Sequence, residues 1–383
     1  MMQLKPVSVI DTEDYSPDAM SGAVARHFEQ LGLDSLFAPG MRVVLKPNLL
    51  TNAKPEQGVT THPALMGAII RRLQALGVSD ITIADSPGGP FTSQRLRAVY
   101  AASGMAQLAE SHGVKVSLAT GSTHLAAPQS DLCTGFNIIA PVAQADVVVN
   151  ICKLKTHAMT GLSAGVKNLF GCVPGLQKPE LHFRFPDQRD FGRMLVDLCQ
   201  TVAPVVTFVD AVTAMEGDGP SGGSLRHVGL TFASQDIYGL DLRLCQLIGL
   251  SPMQVPMMRA AIERELCPSD PERIPLAGDV AAFAPIPDYQ QPRSKSLDFT
   301  GHIPAFLRRP VGALAKRLAP HPCILRKSCI GCGRCAESCP AHVIEITDGK
   351  AVIDYSGCIR CYCCHEMCPV KAVDIKRLGL FGW

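Results

Sequence analysis

The sequence predicts an α/β protein, in which a large domain built on a mostly parallel open sheet precedes a small cysteine-rich α+β domain. Apolar runs rich in β-branched residues alternate with helical patterns through residues 1–284. These runs are apolar on both faces, which is typical of parallel strands covered by helices on either side. Nine of the 16 cysteines lie in residues 324–383, so this region is organised differently from the rest of the chain.

The large domain should be an open, Rossmann-like sheet with helices on both faces. Uninterrupted β-branched runs predict strands at residues 42–45, 80–84, 115–118, 146–151, 205–209 and 228–232. Apolar residues at helical spacing predict helices at residues 18–31, 63–76, 93–112, 189–202 and 237–248. Helix 63–76 has the clearest ends, because proline suits a first helical position and Gly77 suits a C-terminal cap.

A proline-rich linker separates the two predicted domains. Residues 285–323 contain seven prolines set among basic residues. Within the linker, residues 306–318 predict a short amphipathic helix. We expect this helix to pack against the large domain; the alternative is that residues 302–318 dock on a membrane surface or a partner.

The C-terminal region carries the run C-x2-C-x2-C-x3-C-P twice. Its eight cysteines are Cys329, Cys332, Cys335, Cys339, Cys358, Cys361, Cys364 and Cys368. The run resembles that of bacterial two-cluster ferredoxins, which implies an electron-transfer domain with two [4Fe-4S] clusters. The resemblance also implies a crossed pairing, in which three cysteines of one run and the last cysteine of the other run hold each cluster. The two sets would be Cys329, Cys332, Cys335 and Cys368, and Cys358, Cys361, Cys364 and Cys339.

Zinc and disulfide bonds are the competing interpretations of these cysteines. Zinc sites close with four ligands and have no use for a third cysteine at the same short interval. The N-terminus shows no secretory signal, so we expect a reducing compartment that disfavours disulfides. Cys363 is surplus to the repeat. It is either a spectator thiol or a replacement for Cys364 if the loop shifts by one residue.

Between the two cysteine runs, Asp348-Gly349 predicts a tight hairpin turn. The turn would join strands at residues 343–346 and 351–353. Residues 373–375, after the second run, predict a matching strand.

Composition limits the classes of partner. The formal net charge is +2 and there is no long basic tract, which argues against nucleic acid. No apolar run reaches the roughly 18 to 20 residues that span a bilayer, so no transmembrane segment is predicted. We therefore expect a cytoplasmic protein.

Polar residues follow four of the predicted strands. They are Lys46, Asn48, Asp85, Lys153, Lys155, His157, Asp210, Glu216 and Asp218. Singly, Asp85 or Asp210 fits a capping role, and a lone lysine is usually solvated. Because open α/β sheets bind ligands beyond the carboxyl ends of their strands, we expect a cleft at this edge.

Residues 153–180 form the densest part of the predicted cleft. The segment combines glycines, which permit close backbone approach, with four lysines that supply charge for a carboxylate or phosphate: Lys153, Lys155, Lys167 and Lys178. It is not a Walker A loop, because residues 165–168 lack the Gly-Lys pair and the Ser or Thr that holds magnesium. No G-x-G-x-x-G follows a strand, which disfavours NAD or FAD. His157 and His182 are the candidate proton donors.

Together these stretches resemble the domain of unknown function 362 family. The matching residues are 45–49 (Leu-Lys-Pro-Asn-Leu), 61–63 (Thr-His-Pro), 84–88 (Ala-Asp-Ser-Pro-Gly), 152–157 (Cys-Lys-Leu-Lys-Thr-His) and 161–171 (Gly-Leu-Ser-Ala-Gly-Val-Lys-Asn-Leu-Phe-Gly). The resemblance covers residues 5–280 and implies a C-terminal two-cluster ferredoxin module, which family members often carry. It does not imply a particular reaction.

The leading hypothesis is an iron-sulfur oxidoreductase, whose clusters pass electrons to an anionic small molecule in the cleft. An electron carrier alone would not need so large a domain with a cationic cleft. The predicted catalytic residues are His157, Lys155 and Asp85, and the predicted substrate-binding residues are Lys46, Asn48, Lys153, Lys167, Asn168 and His182.

Two other hypotheses stay open. In one, the protein is a redox adaptor whose large domain recognises a partner or a small anion without chemistry. In the other, His157 and His182 hold nickel or another metal for racemase-like or hydrolytic work, although no H-E-x-x-H spacing supports this. We expect an electron donor or acceptor protein as partner of the clusters.

Overall fold

The computed structural model describes residues 4–293 and 320–376. The predicted helix 306–318 and most of the predicted linker lie outside these ranges. Residues 4–293 form a large domain, and residues 320–376 form a small domain that packs against it.

The large domain has more strands than the sequence predicts, and four of the predicted strands are longer than predicted, namely those at residues 42–45, 146–151, 205–209 and 228–232. In chain order they are β1 Val7–Asp11, β2 Arg42–Pro47, β3 Asp80–Ile83, β4 Lys115–Val116, β5 Ser122–Ala126, β6 Gly135–Ile139, β7 Val147–His157, β8 Gly161–Ser163, β9 Val206–Glu216, β10 Ser224–Ser234 and β11 Leu276–Gly278. Nine of them form one sheet in the order β11-β1-β10-β9-β7-β2-β3-β4, with β8 paired to β7. Strands β5 and β6 form a separate hairpin.

The central part of the sheet is parallel, which confirms the predicted fold class. Strands β9, β7, β2, β3 and β4 pair in parallel with their neighbours. Strand β10 pairs antiparallel with both β9 and β1. All 11 residues of β7 are buried, as expected for a central strand covered on both faces.

Helices cover both faces of this sheet. They are α1 Pro17–Leu31, α2 Pro63–Ala75, α3 Ser93–Ala102, α4 Met105–His112, α5 Ala140–Ala143, α6 Gly165–Asn168, α7 Gln177–Arg184, α8 Gln188–Val202, α9 Ile237–Leu247 and α10 Pro256–Glu263. One core lies between the sheet and α1 to α4, and a second lies between the sheet and α8 to α10.

The single helix predicted at residues 93–112 is two helices. Helix α3 ends at Ala102, and α4 begins at Met105. Gly104 between them has φ +75°, a left-handed conformation that interrupts the helix and that glycine adopts without steric cost.

The small domain contains β12 His321–Ile324, α11 Arg334–Glu337, β13 Ile344–Thr347, β14 Lys350–Ile353, α12 Cys363–Met367 and β15 Val373–Lys376. Strands β13 and β14 form a hairpin at the predicted turn, where Asp348 and Gly349 both have positive φ. Strand β15 pairs with β12, which begins inside the predicted linker.

The chain leaves the large domain along its surface. Residues 285–293 pack beside the end of β9, where Tyr289 Oη donates to Met215 O at 3.0 Å. The next described residue, Pro320, accepts a hydrogen bond from Tyr362 Oη within the small domain.

Candidate active site

The eight repeat cysteines surround two separate cavities in the small domain. Cys329, Cys332, Cys335 and Cys368 line one cavity, and Cys339, Cys358, Cys361 and Cys364 line the other. Each set takes three cysteines from one run and the last cysteine from the other. Cys363 lines neither cavity, and it is Cys364 that lies with the second set.

These sets have the chemistry that a [4Fe-4S] cluster needs. A cube takes one thiolate on each iron, so its ligands surround a volume instead of meeting at one point. Within residues 4–293 and 320–376, no group of three or more His, Cys, Asp or Glu side chains is arranged to hold a single metal ion. Backbone N–H groups also point at the ligand sulfurs: the N–H of Ala372 donates to Cys368 Sγ at 3.1 Å.

A third cavity, of about 90 Å³, lies between the two domains. We call it the interdomain cavity. The large domain contributes charged and polar groups from the ends of β2 and β7, from the segment after β3, and from α6 and α7. They are Lys46, Asn48, Asp85, Ser86, Lys155, His157, Ser163, Lys167, Asn168, Lys178 and His182. The small domain contributes Ser338, Cys363, Glu366 and Met367.

Lys155 and His157 reach the cavity from a strand, which corrects the sequence interpretation. Strand β7 was predicted to end at residue 151, with Lys155 and His157 on the following loop. The strand continues to His157, and both side chains are almost fully buried. The sheet therefore holds these two side chains in place.

Lys46 and Asp85 form a buried ion pair at the floor of the cavity. Lys46 Nζ lies 2.6 Å from Asp85 Oδ1, and it also donates to Pro47 O. The other carboxylate oxygen of Asp85 accepts the N–H of Leu49 at 3.0 Å. A Cβ at Gly171 would lie 2.2 Å from Asp85 Oδ1, so this position of the family motif needs glycine.

Two asparagines connect the lysines of the cavity. Asn48 Oδ1 accepts from Lys155 Nζ at 2.8 Å, and Asn48 Nδ2 donates to Asn168 Oδ1 at 3.0 Å. Asn168 Oδ1 also accepts from Lys46 at 3.3 Å. Burial lowers the pKa of Lys155 to about 7, and the nearby charge of Lys153 acts in the same direction. Among the described residues, its ammonium group donates to neutral oxygens, those of Asn48 and Val59.

Lys178 is also buried, and it has no carboxylate partner within residues 4–293 and 320–376. Its ammonium group donates to Ser86 O, Ser86 Oγ and Val173 O at 2.8 to 3.0 Å. Burial lowers its pKa to about 7, and the nearby charge of Asp85 offsets this only in part.

Lys167 and His182 have unused hydrogen-bonding capacity. Among the described residues, Lys167 Nζ has no hydrogen bond or ion pair; it lies 4.6 Å from the centroid of the Phe170 ring. His182 is 3% exposed, and its Nδ1 has no hydrogen-bond partner within the described ranges. Burial lowers the pKa of His182 to about 3, so the ring is neutral. Buried polar groups are normally paired, so these two groups leave hydrogen-bonding capacity that a ligand of the cavity could use.

His157 meets Glu366 of the small domain. His157 Nδ1 accepts the N–H of Met159 at 3.0 Å, which places the ring proton on Nε2. His157 Nε2 lies 3.1 Å from Glu366 Oε1, but off the line of a hydrogen bond. Burial acts to raise the pKa of Glu366, but His157 and Lys167 outweigh it and lower that pKa to about 2. Glu366 is thus ionised, and its Oε1 has no hydrogen bond within the described parts of the chain.

The structure does not bring Lys153 into the cavity. Lys153 Nζ lies 3.0 Å from Asp210 Oδ2 and 2.8 Å from Tyr15 Oη, and all three groups are buried or half-buried. The pairing of β7 with β9 shifts register between Lys153 and Lys155. This irregularity separates the environments of two lysines that a regular strand would place on the same face.

The small-domain residues of the cavity were missed by sequence reasoning. Glu366 and Met367 lie about two hundred residues from β7 and carry no motif of their own. The one sequence feature that could have pointed to this region is Cys363, an extra cysteine between the repeat cysteines Cys361 and Cys364. A Cβ at Gly88 would lie 2.4 Å from Met367 Sδ, so the glycine of the motif at residues 84–88 makes room for the small domain.

Further contacts hold the two domains together. Ser221 Oγ donates to Glu366 O at 3.1 Å, and His365 Nε2 lies 3.1 Å from Asp218 O. Arg293 forms ion pairs with Asp218 and with Asp374 of the small domain.

The fold and the cysteine sites are those of an iron-sulfur protein that takes part in electron transfer. Residues 43–246 match the family described as domain of unknown function 362, and residues 328–372 match a 4Fe-4S dicluster domain. The chain therefore belongs to the domain of unknown function 362 family and carries a C-terminal 4Fe-4S ferredoxin domain.

Two known proteins resemble this chain. A thylakoid-associated protein of Synechocystis sp. is 34% identical over 271 residues, covering 70% of this chain and 82% of that protein. The structure of the lactate racemase apoprotein from Thermoanaerobacterium thermosaccharolyticum is 16% identical with a TM-score of 0.39, covering 60% of this chain and 53% of the racemase. The chain thus spans about half the length of the racemase, a likeness too distant to bear on activity. No helix in residues 4–293 or 320–376 is long and apolar enough to cross a membrane.

Proposed function

We propose that this protein is an iron-sulfur oxidoreductase, in which two [4Fe-4S] clusters exchange electrons with a small anion bound in the interdomain cavity. Helix α12 carries this proposal. Its residue Cys364 lines a cluster site, while Cys363, Glu366 and Met367 line the interdomain cavity. One short helix therefore separates a predicted cluster ligand from the predicted substrate.

The charge of the cavity supports a substrate with two negative charges. Four lysine ammonium groups line it, against the carboxylates of Asp85 and Glu366. Both histidines are neutral at pH 7, because burial lowers the pKa of each. When Lys155 and Lys178 are both protonated, the cavity has an excess of two positive charges, which favours a small dianion such as a dicarboxylate or an oxyanion.

The side chains divide into three roles. Lys167, Lys155 and Lys178 bind the anion, since none of them forms an ion pair within 4.0 Å among the described residues. Asp85 fixes Lys46, and Asn48 and Asn168 hold the lysines at set distances. When bound, the clusters supply electrons one at a time.

A reduction also consumes protons, which the cavity residues can supply. His157 is neutral, so its Nε2–H can donate a hydrogen bond that orients the substrate, and the hydrogen bond at Nδ1 fixes the ring. Lys155 has a pKa of about 7, so it can give up a proton near neutrality and regain it.

Anaerobic binding and reoxidation experiments test the proposal. Calorimetry should detect oxalate, malonate or phosphate binding, with acetate at least tenfold weaker. Reduced protein would then be mixed with small 2-oxo and unsaturated dicarboxylates, and the visible absorbance of the clusters would be followed. Reoxidation by at least one dianion, lost in Lys167→Met, is the expected result. Binding without reoxidation by any compound would instead favour the redox adaptor.

A further inference from the structure

The two cluster sites differ in their access to solvent. The site of Cys329, Cys332, Cys335 and Cys368 has one exposed cysteine, Cys332, and one half-buried cysteine, Cys368. At the other site Cys358 is half-buried, and the remaining three cysteines are buried. The first site is therefore the more accessible of the two to an external protein.

Large apolar side chains surround this accessible site. Ile330 is 62% exposed and Val370 is 39% exposed, and both line the site. Leu325 is 38% exposed, and its N–H donates to Ala372 O at 2.8 Å. That bond joins residues 325–334 and 369–373 into one surface, which we call the entry surface.

The charged residues of the entry surface have one sign. Arg326, Lys327 and Lys371 are exposed around the apolar side chains, and Arg334 is half-buried beside them. Neither of the two segments contains an aspartate or a glutamate. An apolar centre with a basic rim fits a partner with an acidic rim around its own apolar contact.

We propose that the entry surface docks an acidic one-electron carrier protein. Each productive encounter oxidises the carrier by one electron and reduces the cluster at Cys332 by one electron. Electrons that enter at this surface would reach the cavity through helix α12, where Cys364 of the second site adjoins Cys363 of the cavity. Only the direction of flow, from carrier to cavity, depends on the proposed function.

Charge reversal on the intact cluster-loaded protein tests the docking. The test variant combines Arg326→Glu, Lys327→Glu and Lys371→Glu. The matched control combines Lys5→Glu, Arg97→Glu and Arg273→Glu, which changes the net charge equally at exposed positions of the large domain. A reduced acidic [2Fe-2S] ferredoxin serves as the donor, and stopped-flow absorbance gives the second-order rate constant.

The test variant should react about tenfold or more slowly than wild type at low salt, because electrostatic steering is lost. The difference should shrink at high salt, and the control should change much less. Ile330→Gln should slow the reaction at every salt concentration, since it weakens the apolar contact. Iron content and photoreduction by deazaflavin verify that each variant retains reducible clusters. Equal rates in test and control variants, or faster reaction with a basic carrier, would overturn the proposal whether or not a cavity substrate is found.

Discussion

Lys153 and Lys155 lie two residues apart on β7, but their surroundings differ completely. Lys153 forms a buried ion pair with Asp210, whereas Lys155 faces the interdomain cavity and, in the described part of the chain, bonds only neutral oxygens. Both side chains are almost fully buried. Burial therefore does not distinguish a structural lysine from a binding one; the presence of a carboxylate partner does.

The largest expected effect is on stability, at the ion pair. Lys153→Met leaves Asp210 buried without its counter-charge, so the free energy of unfolding should fall by about 3 to 5 kcal/mol. Oxalate affinity should stay within about threefold of wild type, because Lys153 lies outside the cavity. Chemical denaturation and calorimetry measure the two quantities. A stable variant that fails to bind oxalate would place Lys153 in the binding site after all.

Lys167→Met should show the opposite pattern. It removes a buried ammonium group that has no ion pair, so stability should change by less than about 1 kcal/mol or rise. Oxalate affinity should fall tenfold or more, as expected when a charge-assisted hydrogen bond of about 1.5 to 3 kcal/mol is lost. Lys167→Arg, which keeps the charge, is the control. Unchanged affinity in Lys167→Met would remove this lysine from the site.

A third expectation concerns pH. Lys155 and Lys178 both have pKa values lowered to about 7, and only their protonated forms attract an anion. Oxalate affinity should therefore fall as the pH rises above about 7, by up to about tenfold per unit for each lysine. Calorimetry in buffers of different ionisation enthalpy should show proton uptake on binding. The slope should be smaller in Lys155→Met, and a flat profile in wild type would contradict the lowered pKa values.

The smallest structural effect is expected at Cys363. Cys363→Ser should leave the iron content unchanged, near the eight irons expected of two cubes, because Cys364 lies in the cluster site and Cys363 does not. Since Cys363 lines the interdomain cavity, the variant should slow reoxidation by a bound dianion. Loss of about four irons would show that Cys363 is a ligand.

Sequence rules predicted the fold well and the site in part. Because open α/β sheets bind ligands beyond the carboxyl ends of their strands, Lys46, Asn48 and Asp85 were expected to lie together, and all three line the cavity. This expectation could not tell that Lys155 lines the cavity and Lys153 does not, because the difference depends on a register shift between β7 and β9. The sequence could not predict Glu366 either. The packing of the two domains brings this residue to His157, and no local sequence pattern indicates it.

The contribution of α12 to the cavity has a consequence for how such proteins can be modified. A chimera with another ferredoxin in place of residues 320–376 could still conduct electrons, but it would lack the wall formed by Glu366 and Met367. The large domain alone would have the same defect, with its lysines open to water. The two halves are thus interlocking rather than modular, and exchange of either one must preserve the surface of a single five-residue helix.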